Sequence, residues 1–154
     1  MSSADANTDA KDEPIYLLDV NVLLALVSSN HVRHALALEH FSALNGRWAT
    51  CAITEAGLVR LLLTPAVMGR EIRGGEALGL LEAMRGLPGW VWLSVDTPLA
   101  SAQIDWRVLS GRNQVTDLQL LEIAAVHGAR LCTFDAKIKR FLAPDDLQWL
   151  EIWS

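Results

Sequence analysis

The sequence contains no apolar run of the roughly 18 residues that a membrane-spanning helix requires, so an integral helical membrane protein is excluded as a reading. It has only two cysteines, Cys51 and Cys132. Both lie in short apolar stretches that read as buried strands, which suits reduced core thiols in a cytoplasmic protein better than a disulfide scaffold. Positive charge is scarce as well: 13 Lys and Arg stand against 18 Asp and Glu, a formal charge of -5. Binding to nucleic acid through bulk electrostatics is thereby disfavoured. Nucleic acid as a substrate is not, because a metal ion can supply positive charge locally. The opening stretch MSSADANTDAKDEP lacks the basic and apolar regions of a signal peptide, and residues 1–14 are expected to form a disordered lead-in. There is no internal repeat, low-complexity tract or interior linker, so residues 15–154 are expected to form one domain.

What is present is a generous supply of core: 51% of residues are hydrophobic. Three apolar segments pass within a few residues from strand-like to helical spacing. They are IYLLD (Ile15 to Asp19), WATCAI (Trp48 to Ile53) and RLCTFD (Arg130 to Asp135). WVWLSV (Trp90 to Val95) and LQWLEIW (Leu147 to Trp153) read as two further strands. Short apolar strands alternating with helices indicate an α/β fold with a central, mainly parallel sheet of about five strands. A helix is expected in HVRHALALEHFSALNG, ending at Asn45-Gly46. A second is expected in DTPLASAQIDWRVL, with Pro98 in its first turn, and a third in TDLQLLEIAAVHG, opening with the capping pattern Thr116-x-x-Gln119. Pro65, Gly69, Gly74 and Gly75 break TPAVMGREIRGGEA into a loop beside two short helices.

Within this apolar pattern Asp19 stands out. Apolar residues flank it on both sides, and a buried ionised carboxylate costs several kcal/mol or more unless it is paired or holds a metal. Asp135 closes another strand, Glu55 lies just past a third, and Asp117 opens a helix. In an open parallel α/β sheet the strand ends converge on one edge, where ligands bind. Four acids from four parts of the chain can therefore meet in one cleft, where hard, oxygen-loving Mg²⁺ or Mn²⁺ would relieve their repulsion. Such a cleft suits phosphodiester hydrolysis. Each acid has a structural alternative: Asp117 and Glu55 suit the first turn of a helix, and Asp135 suits a cap. The histidines, His31, His34 and His40 among them, form no set with Cys that would hold zinc and read as structural or surface residues.

The segments YLLDVNVLLAL, ITEAGLVRLLLTP and QVTDLQLLEIAAVHGARLCTFD, in this order and at these separations, resemble a PIN-domain protein. They are most similar to the VapC-type ribonuclease toxins of bacterial toxin–antitoxin pairs. The likeness runs from about Ile15 to about Leu142. It implies a three-layer α/β/α fold and a Mg²⁺-dependent (or Mn²⁺-dependent) endoribonuclease in the cytoplasm. It also implies a homodimer, with an RNA substrate and a small antitoxin partner. Asp19, Glu55, Asp117 and Asp135 would be the acidic quartet, with Asp19 and Asp117 as direct metal ligands. Asn21 and Thr116 would orient the carboxylates. Leu118 departs from the small residue that commonly follows the Thr-Asp pair. Arg112 and Lys137 border these segments and are candidates for RNA phosphate contacts. Two other readings compete. One is a PIN-like module that binds RNA or a partner without cleaving. The other is a haloacid-dehalogenase-like phosphohydrolase using Asp19, with Asp145 and Asp146 as paired acids.

Overall fold

A computed structural model describes residues 13–154. Five parallel strands form one sheet in the order β3-β2-β1-β4-β5. They are β1 (Ile15–Leu18), β2 (Arg47–Cys51), β3 (Trp90–Leu93), β4 (Arg130–Thr133) and β5 (Leu150–Ile152). Tyr16 pairs with Trp48 on one side of β1 and with Arg130 on the other. The chain builds outward from β1 through β2 to β3, then returns to place β4 on the opposite side of β1. The strand order therefore reverses between β1 and β4, and ligands of open α/β sheets bind beyond the strand ends at such a point.

Successive strand residues face opposite sides of the sheet, and each side has its own core. Tyr16, Leu18 and Trp48 pack with α1 (Val20–Val27), α3 (Ala52–Leu62) and α5 (Gly74–Arg85). α2 (His34–Ser42) contributes Ala37, and α4 (Pro65–Met68) adds Met68. Leu17, Ala49 and Leu131 pack on the other side with α6 (Val115–Val126). The three-layer α/β/α architecture expected from the sequence is the one observed. α6 ends where Gly128 takes φ +64°, so that its amide and that of Ala129 bond back to the carbonyls of Ala125 and Ala124 at 3.1 and 2.7 Å. This left-handed closure satisfies the last turn and turns the chain directly into β4.

Four local expectations are corrected. The segment from Asp96 to Asp105 is not helical, and only a 3-10 turn over Trp106–Val108 forms. The amide of Ser101 bonds to the Glu122 carboxylate at 3.2 Å and that of Asp105 to the Asp146 carboxylate at 2.8 Å. Tertiary partners thus take donors that a helix would have used, and Ala100 at φ +59° prevents helical continuation. Gly74 and Gly75 open α5 rather than break it. They occupy its first turn, and Ala77, Leu81 and Met84 behind them are buried at helical spacing. α2 ends at Ser42, before Asn45, whose side-chain oxygen instead accepts from Tyr16 Oη at 3.0 Å. α6 begins at Val115 with Gln114 as its cap residue, so the capping pattern at Thr116 does not form. The proposed lead-in falls largely on residues 1–12, outside the described residues. Its last residue, Pro14, already accepts from the amide of Arg47 at 2.9 Å.

Candidate metal centre

Asp19 is the single residue between β1 and α1. Its amide makes the last bond of the ladder to Cys132 O, 2.9 Å, and its carbonyl accepts the first helical amides of Val22 and Leu23 at 3.0 Å. Its side chain caps α1, Oδ1 accepting from Val20 N at 2.7 Å. Strand and helix thus fix this carboxylate from both sides, at the edge where the strand order reverses.

Its second oxygen, Oδ2, accepts from Thr133 Oγ1 at 2.7 Å. A threonine hydroxyl has one proton and two acceptor sites, and Thr133 uses all three. It accepts from Asn21 Nδ2 at 3.1 Å and from Asp135 N at 3.2 Å. Asn21 Oδ1 in turn accepts from the amide of Phe134 at 3.4 Å. Asn21 therefore orients Asp19 through Thr133 and not by direct contact. The hydroxyl that serves Asp19 is that of Thr133. Thr116 is exposed, and among the described residues its hydroxyl makes no hydrogen bond. The sequence shows Thr133 only as the first residue of Thr-Phe-Asp; the strand register sets it one step beyond Cys132, the partner of Leu18, and so opposite Asp19.

Asp117 lies in the first turn of α6 and Asp135 caps the 3-10 turn over Ala136–Arg140, its Oδ1 accepting from Lys137 N at 2.9 Å. Three carboxylates thus stand at the starts of three helical segments, where the backbone dipoles favour negative charge. Their mutual repulsion remains. Burial pushes the Asp117 carboxyl up to about 6, and the charges of Asp19 and Asp135 add to the rise. Burial also raises Asp19, against the pull of its bonds from Thr133 and Val20, with the Asp135 charge raising it further. Among the described residues, no Lys, Arg or His forms a salt bridge with any of the three.

Glu55 is held by partners of its own. Although buried, it turns toward the sheet, where Arg85 grips both its oxygens, Nε at 3.0 Å from Oε1 and Nη2 against Oε2. Thr50 Oγ1 donates to Oε1 at 2.6 Å and accepts from Trp90 Nε1 at 2.9 Å. The Arg85 guanidinium also lies 5.8 Å over the Trp90 ring. This network joins α3, β2, β3 and α5, and Glu55 is not among the charges that raise Asp19 or Asp117.

The donor set is all oxygen, which fits a hard divalent cation. Among the described residues no three His, Cys, Asp or Glu side chains are gathered into a metal-holding cluster. Mg²⁺ needs fewer than three protein ligands, because it keeps several waters and completes its shell with substrate phosphate. Two carboxylates, Asp19 and Asp117, meet that requirement. A cleft of about 550 Å³ begins beside them, lined by Val20, Thr116 and the α3 residues Ala56, Gly57 and Arg60. Gly57 is required here, since a Cβ at this position would lie 2.6 Å from Val20 Cγ2. Arg112 and Lys137 are both exposed, and neither forms an ion pair among the described residues. The acids of the phosphohydrolase reading are occupied differently: Asp146 is buried and holds the Asp105 amide.

The PIN domain model matches residues 16–142. The chain belongs to the PIN-domain family, among its VapC-type toxins. It is 41% identical to Ribonuclease VapC38 of Mycobacterium tuberculosis over 124 residues, covering 79% of this chain and 86% of that protein. It is 42% identical to Ribonuclease VapC39 of the same species, covering 79% and 89%. Two crystal structures share the fold. VapBC2 from Rickettsia felis, bound to a DNA fragment from their promoter, matches with a TM-score of 0.56 at 20% identity, over 91% of this chain and 99% of that one. The sarcin-ricin loop cleaving toxin VapC20 of M. tuberculosis matches with a TM-score of 0.59 at 15% identity, over 81% and 93%. No helix among the described residues is long and apolar enough to cross a membrane.

Proposed function

We propose that this VapC-type PIN protein is a divalent-metal-dependent endoribonuclease, the toxin of a toxin–antitoxin pair. The observation that carries the reading is that Asp19, Asp117 and Asp135 stand at the reversal point of the sheet with no ion pair among the described residues, the Asp135 charge raising both Asp19 and Asp117 and that of Asp19 raising Asp117. Relatives named as ribonucleases at 41–42% identity support it.

Asp19 and Asp117 would hold Mg²⁺ or Mn²⁺. The chemistry such an ion supplies is that of a Lewis acid, making an attacking water more acidic and neutralising charge on the phosphoryl oxygens. The Thr133 hydroxyl opposes the rise that burial imposes on Asp19 and, with Asn21 behind it, aims the carboxylate, the role that outer hydrogen bonds play at metal sites. Asp135 is exposed, and the oxygen not engaged by Lys137 N is available to accept a proton from the attacking water. Arg112 and Lys137, exposed and without ion pairs among the described residues, contact RNA phosphates. Glu55 acts by holding α3 to α5 and the sheet, not as a ligand. The partner is an antitoxin that covers the cleft, the working form is a homodimer, and the site of action is the cytoplasm.

The test is incubation of total cellular RNA with the purified chain in Mg²⁺, in chelator, and as Asp19→Asn. Discrete fragments are expected only with metal and intact Asp19. Cleavage that persists in chelator or in Asp19→Asn overturns the reading, and a well-folded chain that binds Mg²⁺ and RNA but cuts none favours the non-catalytic module.

A further inference from the structure

Four arginines of this acidic chain are engaged in ion pairs. Arg70, Arg85, Arg107 and Arg130 are held by Glu76, Glu55, Asp105 and Glu151. Arg33, in the turn between α1 and α2, has no acidic partner among the described residues, yet it is not loose. Its guanidinium lies 5.0 Å over the ring of Phe134, and Nη1 donates to the Phe134 carbonyl at 3.4 Å. Its backbone amide is held as well, by His31 Nδ1 at 3.1 Å. Phe134 sits between Thr133 and Asp135 and gives its own amide to Asn21. A fixed, exposed positive charge therefore stands against the segment that carries two members of the carboxylate network.

A guanidinium spread over a ring is attracted by the ring's negative face and loses little freedom on binding a further anion. The Phe134 contacts employ one N–H and one face of the group. The remaining donors of the planar fork face solvent, in a geometry suited to two phosphate oxygens. Arg70, Arg85, Arg107 and Arg130 are engaged by carboxylates, whereas Arg33 is held by a ring and a carbonyl that leave its charge unmatched. An arginine placed beside a cluster of acids without neutralising them is suited to an anion brought to that cluster.

We propose that Arg33 is a phosphate-binding residue, which receives an RNA phosphate adjacent to the one at the carboxylates, on the β4 side of the cleft. The inference rests on the reading of the chain as a ribonuclease and adds a specific contact to it. Arg33 positions the strand and takes no part in proton transfer.

The test compares wild type, Arg33→Gln, Arg33→Lys and Arg73→Ala. Arg73 is an exposed arginine at the start of α5, without side-chain hydrogen bonds there, and serves as the charge-matched control. A fluorescein-labelled single-stranded RNA of mixed sequence is titrated in EDTA at several salt concentrations, and cleavage of total RNA in Mg²⁺ is followed in parallel. Thermal melts confirm that each variant folds. Arg33→Gln is expected to weaken RNA binding about five-fold, the size of an exposed ion pair, and to lower the slope of log affinity against log salt by about 0.7. Arg33→Lys should keep the slope while losing part of the affinity, since a point charge replaces the fork. Arg73→Ala should match wild type. In cleavage, KM should rise for Arg33→Gln while kcat holds within about two-fold. A wild-type salt slope in folded Arg33→Gln, or an equal loss in Arg73→Ala, overturns the proposal even if the wild type cuts RNA. If the wild type cuts nothing but Arg33→Gln still loses affinity and slope, the ribonuclease reading fails and the phosphate contact stands. Absence of RNA binding by the wild type together with absence of cleavage in Mg²⁺ overturns both, and absence of binding alone overturns the phosphate contact.

Discussion

Replacing Asp117 with Asn should stabilise the metal-free fold while removing its activity. A carboxyl carried from 3.8 to about 6 by burial and by the charges of Asp19 and Asp135 amounts to about 3 kcal/mol if the whole difference counts against the folded state. Asp117 is partly exposed, so solvent screening reduces this to about 1–2 kcal/mol. Loss of a favourable charge in the first turn of α6 takes back about 0.5 kcal/mol. The net gain at pH 8 in chelator is then about 1 kcal/mol, or a Tm higher by about 2–4 °C for a chain of this size. The sign with pH is set by the direction of the shift. Because the folded-state carboxyl is raised, the wild type carries no penalty below 3.8, a growing one between 3.8 and about 6, and the full one above. The advantage of Asp117→Asn should therefore vanish as pH falls to 4. Adding Mg²⁺ should raise the Tm of the wild type but not that of Asp117→Asn, reversing the order at high metal concentration. Urea unfolding in EDTA at pH 8 and pH 4, repeated in Mg²⁺ at pH 8, measures each of these. An Asp117→Asn protein no more stable than wild type in EDTA at pH 8 refutes the claim that the three carboxylates repel one another.

Thr133→Val removes the hydroxyl that serves Asp19, Asn21 and Asp135 with little change in volume. Mg²⁺ affinity measured by calorimetry should fall about 10- to 100-fold, the usual cost of an outer-shell partner, and an unchanged affinity would sink the orienting role. Glu55→Gln breaks the paired contact with Arg85 and should cost about 2 kcal/mol of stability by chemical denaturation. Combining it with Arg85→Met should add less than the sum of the two single losses, whereas strict additivity would mean that the pair does not interact. Leu118→Ala empties a fully buried position in the α6 core and should cost about 2–5 kcal/mol; a loss below 1 kcal/mol would show that this core collapses around the gap.

All five strands were legible in the sequence because each lies in a short, predominantly apolar stretch. Asp19 and Asp135 were legible for the same reason, as charges that end such stretches. What escaped was set by contacts distant in sequence. The segment from Asp96 to Asp105 has a helical start signal, but Glu122 and Asp146 bind its amides and hold it open. Glu55 has the spacing of a site residue, and nothing local announces that Arg85, 30 positions on, turns its carboxylate toward Thr50 and Trp90. Thr116 and Thr133 both flank an aspartate. Only the register of β1 against β4 distinguishes the hydroxyl that reaches Asp19 from the one that faces solvent.

The most direct measurement is the Mg²⁺ dependence of RNA cleavage for the wild type, Asp117→Asn and Glu55→Gln, each at a temperature where it is folded. With Asp19, Asp117 and Asp135 as the centre, Glu55→Gln should reach its half-maximal rate within about three-fold of the wild-type Mg²⁺ concentration, and Asp117→Asn should show no metal-dependent rate at all. Wild-type Mg²⁺ dependence in Asp117→Asn, or its complete loss in folded Glu55→Gln, would contradict a metal centre built on these three aspartates.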